Sequence, residues 1–302
     1  MTAQDVVALV PDITNVGEPM VGGQKIVFPC TIRGKRCVVK FMLPKVSAAP
    51  SDEEDESTNI PDEVTARARR EVQIMQQCNT PYLVKLGPLP LTIVDFKGQS
   101  LLYFAEEFIE GSDLRHLLRH QGTFSVEDLL RLGRHISEAI RVLWALKKVH
   151  RDIKPGNIMQ RATTSDFVLL DMGLAFDLEA ESITMTGFVP GTPGYFSPEQ
   201  LEFTRKRQLD FRSDLFSLGI VLYEAATGIH PFVTPFTRST TEVAANILGH
   251  NPLPPSHYRS DLPEELSDII MRLIAKSPHL RYRTCEKLDS AFAHVQRSQA
   301  GG

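Results

Sequence analysis

His150-Arg151-Asp152-Ile153-Lys154-Pro155-Gly156-Asn157 is the stretch on which the reading of this chain turns. It sets a histidine, an acid, two bases and an amide around one apolar Ile153 and a Pro155-Gly156 turn signal. Taken alone, such a polar run is an ordinary surface loop. Further on, the chain becomes apolar over Phe167-Val168-Leu169-Leu170 and then stops at Asp171-Met172-Gly173, a strand-like run closed by an acid and a glycine. Alone, that second element is as easily a turn.

Outward from this stretch, the two sides of the chain follow different patterns. Up to about Phe108 the chain is strand-rich. Residues 25–31 and 36–41 are β-favouring runs joined by Arg33-Gly34-Lys35, which predicts a hairpin. Residues 91–96 and 100–104, split by Lys97-Gly98-Gln99, predict a second strand pair. Between the pairs lies a helical segment, 63–77, with Val72 and Met75 three apart on one face. After Phe108 the spacing turns helical. Leu129, Leu132, Ile136, Ile140 and Leu143 follow a capping pair, Ser125 and Asp128. Residues 214–226 are apolar almost all round, which predicts a buried helix stopped near Gly228. Leu266, Ile269, Ile270, Leu273 and Ile274 predict another helix, with Pro263 near its first turn. The expectation is an α+β chain forming one unit over 1–302. A small mostly-β lobe (about 10–108) with one helix precedes a larger mostly-α lobe (about 109–298).

The 302 residues carry a formal net charge of −4, so nothing here suits nucleic acid or an anionic lipid surface, both of which need concentrated basic charge. Cys30, Cys37, Cys78 and Cys285 show no metal-site or disulfide spacing and are expected as reduced thiols. The N-terminus lacks the basic-then-apolar order of a signal peptide, and no apolar run approaches a membrane span. A soluble, cytoplasmic protein is the expectation. Residues 47–61 contain Asp52-Glu53-Glu54-Asp55-Glu56 among small polar residues and predict a flexible acidic insertion; a docking site for a basic partner is the alternative.

The opening stretch resembles the catalytic loop of eukaryotic-type (Hanks-type) serine/threonine protein kinases, H-R-D-x-x-x-x-N. That resemblance implies Asp152 as the base for the attacking hydroxyl, Asn157 as a Mg²⁺ ligand, and Lys154 reaching the γ-phosphate. Asp171-Met172-Gly173 resembles D-F-G, with Asp171 as a Mg²⁺ ligand and a pliable Met172 in place of phenylalanine. Cys37-Val38-Val39-Lys40 is similar to V-A-I-K, which implies that Lys40 binds the α/β-phosphates. Glu71 matches its helical partner by spacing, and Glu63 competes less well. Gly191-Thr192-Pro193-Gly194-Tyr195-Phe196-Ser197-Pro198-Glu199 resembles the substrate-docking segment that ends in A-P-E. Asp214 and Arg281 match the buried aspartate of the next helix and the arginine that pairs with Glu199. The likeness runs from about 13 to 295. It implies a bilobal protein-kinase fold, MgATP between the lobes, and protein substrates with Ser/Thr acceptors.

Departures sit at the nucleotide end. With Val27 aligned to the valine closing G-x-G-x-x-G-x-V, Met20, Gly22 and Lys25 fall at the glycine positions, and only Gly22 survives, with Gly23 beside it. Lys25 would add a favourable charge or point into solvent. Val27, Val38 and Met159 match the residues that sandwich adenine. Glu107-Phe108-Ile109-Glu110-Gly111 resembles the hinge, with Glu107 and Ile109 at its nucleotide-binding positions. Glu106 then falls at the gatekeeper position, where an ionised carboxylate needs a partner. Ser182, Thr184 and Thr186 lie where an activation segment is phosphorylated, and autophosphorylation is expected at Thr184 or Thr186. A pseudokinase scaffold and a small-molecule phosphotransferase of related fold are the rival readings. The first is favoured by the degraded glycine loop, and the second is disfavoured by the Gly191–Glu199 segment.

Overall fold

The structure, a computed structural model, describes residues 1–22, 25–43, 62–172, 176–177, 193–202 and 209–300. Gly23, the acidic insertion, Gly173, Gly191, Thr192 and the three activation-segment hydroxyls lie outside these residues. The chain divides into unit 1, Met1–Gln77 with Val84–Ile109, and unit 2, Cys78–Leu83 with Glu110–Gly302.

Unit 1 opens with α1 (Ala3–Leu9), a helix that the sequence reading did not anticipate. Thr2 caps it: its hydroxyl accepts the Asp5 N–H, and the Asp5 carboxylate accepts the Thr2 N–H at 2.6 Å. Val6 and Val10 are thereby buried against the sheet. That sheet holds β1 (Ile13–Thr14), β2 (Met20–Gly22), β3 (Lys25–Ile32), β4 (Lys35–Met42), β5 (Thr92–Phe96) and β6 (Gln99–Glu107). The order is β1-β3-β4-β6-β5, with β2 on β3, and every pair is antiparallel.

Both predicted hairpins form, around two-residue turns tighter than expected. Arg33 and Gly34 have φ of 48° and 78°, and Lys97 and Gly98 have 56° and 79°. This left-handed pair matches the twist of the strands it joins, so Lys35 and Gln99 already belong to β4 and β6. Pairing sorts the side chains by face. Phe28, Cys30, Ile32, Val39, Phe41, Tyr103 and Ala105 form one core with Val6 and Val10. Val27, Val38, Lys40, Phe104 and Glu106 take the opposite face, because side chains alternate along a strand. There β6 meets α2 (Asp62–Gln77), which buries Ala68, Glu71, Val72 and Met75.

Unit 2 begins with β7 (Gly111–Asp113), α3 (Leu114–Gln121) and α4 (Val126–Ala145), and the predicted apolar stripe of α4 is buried. β8 (Lys148–Val149), β9 (Ile158–Arg161), β10 (Phe167–Leu169) and β11 (Phe176–Asp177) follow. They make a β10-β9-β7 sheet and a β11-β8 pair. Then come α5 (Pro198–Leu201), α6 (Phe211–Thr227), α7 (Thr240–Gly249), α8 (Pro255–Tyr258), α9 (Glu264–Leu273) and α10 (Cys285–Ala300). α6 starts three residues before the expected point because Asp210 caps it through the Arg212 N–H. It ends at Gly228, in the left-handed conformation expected of a helix stop. Gly219 lets α9 lie close, since a Cβ there would come within 2.7 Å of Leu273 Cβ. Among the described residues no helix is long and apolar enough to cross a membrane.

Candidate active site

In unit 2, the loop between β8 and β9 gathers its polar side chains on Asp152. Lys154 Nζ and Asn157 Nδ2 both donate to Asp152 Oδ2, at 2.7 and 2.8 Å, and Asn157 Nδ2 also reaches the Asp152 carbonyl at 2.9 Å. The Pro155–Asn157 turn makes this possible, because it swings Asn157 back over the residue five before it. Charge-assisted bonds to one carboxylate oxygen hold the Asp152 side chain in a single orientation. Both bonds from Asn157 use its NH₂ and neither uses its amide oxygen.

The backbone of the same loop is gripped from α6. Asp214 is buried in the first turn of that helix, and its two oxygens accept the N–H groups of His150 (2.8 Å) and Arg151 (2.9 Å). Arg151 sits at φ 70°, a conformation that a non-glycine residue holds only when its surroundings impose it. Burial pushes the Asp214 carboxyl above the usual carboxylate range, against the pull of the two N–H groups that it accepts. Residues His150 and Asn157 in turn bind the strand that leads to Asp171. The Leu170 N–H donates to the Asn157 carbonyl at 2.8 Å, and the Leu170 carbonyl bonds His150 Nε2 at 3.0 Å. His150 Nδ1 accepts the Asp152 N–H, so Nε2 carries the ring proton. With both backbone groups of Leu170 held, Asp171 leaves the strand at a defined point with φ 66°, and Met172 is buried beside it.

Further along unit 2, Arg281 forks onto Glu199, with Nη1 to Oε1 at 2.6 Å and Nη2 to Oε2 at 3.0 Å; Ser213 also donates to Oε1 at 2.8 Å. Burial alone would raise the Glu199 carboxyl, but the Arg281 bonds and charge outweigh it, and the group lies below the usual range. Tyr195 donates to Glu224 at 2.7 Å, which the sequence reading did not foresee. It also missed Arg115, whose guanidinium lies over Gly156: a Cβ there would come within 2.7 Å of it. A cavity of about 760 Å³ lies elsewhere in unit 2, lined by Tyr82, His135 and charged residues of α4. Its arginines are already paired, Arg131 with Glu127 and Asp128 and Arg134 with Asp289, and none of residues 150–157 lines it.

In unit 1, Lys40 bonds Glu71 of α2 at 2.7 Å, the partner expected from spacing. It bonds Glu106 of β6 at 2.5 Å, and all three are buried. Val27 and Val38 stand on the same sheet face, half-buried, and Ile109 is buried. Glu107 is engaged with Lys85, through its carboxylate and its own N–H, each at 2.9 Å. Gly22 is exposed, and a Cβ there would meet nothing within 4 Å. In unit 2, Met159 is half-buried on β9, opposite Val168 and Asp113. Thus the structure joins Asp152, Lys154 and Asn157 directly, ties Asp171 to them through Leu170, and joins Lys40 to Glu71.

Comparison with known proteins agrees with this layout. The protein kinase domain model matches residues 31–293. The serine/threonine-protein kinase PknB of Mycobacterium leprae is 31% identical over 244 residues, covering 77% of this chain and 36% of that protein. PknB of Mycolicibacterium smegmatis is 32% identical over 246 residues, 78% of this chain and 36% of its own length. The serine/threonine-protein kinase pkn3 of Myxococcus xanthus is 32% identical over 255 residues, 80% of this chain and 44% of its own. The chain therefore spans less than half the length of these relatives.

Proposed function

We propose, since this chain belongs to the protein kinase family, that it transfers the γ-phosphate of MgATP to serine and threonine hydroxyls of protein substrates. The observation that carries this reading is the convergence of Lys154 and Asn157 on one oxygen of Asp152, on a backbone held by Asp214. The names of the relatives support serine and threonine as acceptors.

The chemistry asked of the protein is mainly positioning and charge. Asp152 accepts the proton of the acceptor hydroxyl as its oxygen attacks the γ-phosphorus; the bond to the β–γ bridging oxygen breaks, and ADP leaves with that electron pair. Lys154 lies beside Asp152 and offsets charge on the transferred group. Lys40, oriented by Glu71, takes the α/β-phosphates. The Asn157 amide oxygen and the Asp171 carboxylate are hard oxygen donors of the kind that suit Mg²⁺. When bound, that ion neutralises phosphate charge. A cytoplasmic setting fits four cysteines that stand as free thiols. Thr184 or Thr186 is the self-modified residue in this reading, checked by phosphate in tryptic peptides of active protein.

The test is radiolabel transfer from MgATP to a generic basic protein, comparing wild type with Asp152→Asn. A general base is worth about 10²–10⁴-fold, so the variant should lose about 3–5 kcal/mol of barrier lowering while folding normally. Labelled serine or threonine with wild type alone is the expected result. No transfer and no MgATP-induced thermal shift in wild type would replace the enzyme with a scaffold.

A further inference from the structure

Lys40 has more anionic company than its task requires. Its ammonium carries three donors, and two point to carboxylates from different elements, Glu71 of α2 at 2.7 Å and Glu106 of β6 at 2.5 Å. The second contact is built into the sheet. Lys40 pairs with Phe104 across β4 and β6, so Glu106, two residues along β6, shares its face and is its diagonal neighbour. Lys40 is 3% exposed and Glu106 7%. A carboxylate at this depth is retained only if it is paired, and Lys40 meets that need.

Glu106 thus adds a second carboxylate to the surroundings of this ammonium. A phosphate approaching Lys40 is itself an anion. It meets like charge and must compete with Glu106 for the cation that is to bind it. Glu71, on a helix, would remain as the orienting partner after that exchange. We propose that Glu106 is a built-in competitor for the phosphate-binding lysine, holding Lys40 until nucleotide phosphates displace it and so setting a weak affinity for MgATP. This rests on the phosphotransfer reading above, since it deepens the role given there to Lys40.

Glu106→Gln keeps the shape and removes the charge. Calorimetric titration of the full chain with MgATP, MgADP and adenosine, beside the KM for ATP, tests the idea. In the variant, MgATP and MgADP should bind about fivefold tighter or more, and KM should fall in step, because like-charge repulsion against the phosphates is gone. Adenosine, which has no phosphate, should bind within about twofold of wild type. An equal change in adenosine affinity would mean that Glu106 acts on the base, and unchanged or weaker MgATP binding would mean that it merely supports the fold; either overturns the proposal. Should Glu106→Gln fail to melt cooperatively, Glu106→Met, apolar and of similar volume, replaces it with the same expectations. Binding by the variant where wild type shows none supports the proposal, and absence of binding in both overturns it. Phosphate transfer by wild type is read separately, so transfer with an unimproved variant sinks this inference alone, whereas absence of transfer from every variant sinks the kinase reading.

Discussion

The two units build their charged sites in opposite ways. In unit 2, the side chains that meet at Asp152 lie within five residues of one another, and their backbone is fixed by a carboxylate from a distant helix. In unit 1, Lys40 meets carboxylates 31 and 66 residues away, Glu71 brought by the packing of α2 on β6 and Glu106 by strand register. A carboxylate that accepts backbone N–H groups defines geometry. A lysine between two carboxylates defines a balance, which one substitution can tilt. The first arrangement should be intolerant of change and the second tunable.

The largest effect that would test this contrast concerns the scaffold of unit 2. Glu199→Ala leaves Arg281 buried without its forked partner and should cost about 3–5 kcal/mol, lowering the melting temperature by roughly 10 °C. Replacing both, with Glu199→Leu and Arg281→Met, should recover more than half of that loss. A single variant that melts like wild type would show that the scaffold is not rigid.

Acid should separate the units next. All nine histidines of the chain fall in 110–302, and burial holds His135 and His230 down to about 4. The folded form of each refuses a proton that the unfolded chain accepts below about 6.5. The stability that each contributes is therefore full above that pH and is lost between about 6.5 and about 4, on the order of 2–3 kcal/mol for His230. Urea unfolding followed through Trp144, the lone tryptophan and a residue of unit 2, should show the fall; His230→Gln should flatten it. A midpoint that ignores pH over that range would contradict the assignment.

Asp214→Asn comes third. It replaces an acceptor oxygen with an NH₂ group facing a loop N–H, so about 1–3 kcal/mol of stability and at least tenfold in kcat should be lost. Unchanged kcat would mean that Arg151 keeps its φ without the clamp. Smallest, and most telling for unit 1, is Glu71→Gln, which should lower kcat/KM about tenfold by loosening Lys40. Its sign is opposite to that expected for Glu106→Gln. If both variants moved nucleotide affinity the same way, the two carboxylates would be interchangeable and the idea of a tunable balance would fail.

Much of this was legible from the residues because the signals are local. The eight residues from His150 to Asn157 hold their own donors and acceptors, and Gly34 and Gly98 mark turns whose geometry follows from two positive φ angles. Two features were harder to read. α1 is only seven residues long, and its signals are Thr2 with Asp5 at the start and Val6 with Val10 beneath, too brief to stand out from a polar terminus. Arg115 over Gly156 and Tyr195 on Glu224 join parts of the chain that no periodicity links. For Glu106 the sequence posed the question, a carboxylate in need of a partner, without the answer.

By itself, then, the sequence determined the order of a strand-rich and a helical region and the turns between strands, because short-range spacing and turn chemistry depend on neighbours along the chain; its resemblance to a known family named Glu71 as the partner of Lys40, and the structure joins the two. Only the tertiary structure decided that Asp214 clamps the backbone at Arg151, 63 residues away, and that Glu106 shares Lys40 with Glu71. Those depend on helix placement and on strand register. A slip of one residue between β4 and β6 would turn Glu106 to the other face and leave Lys40 with a single carboxylate.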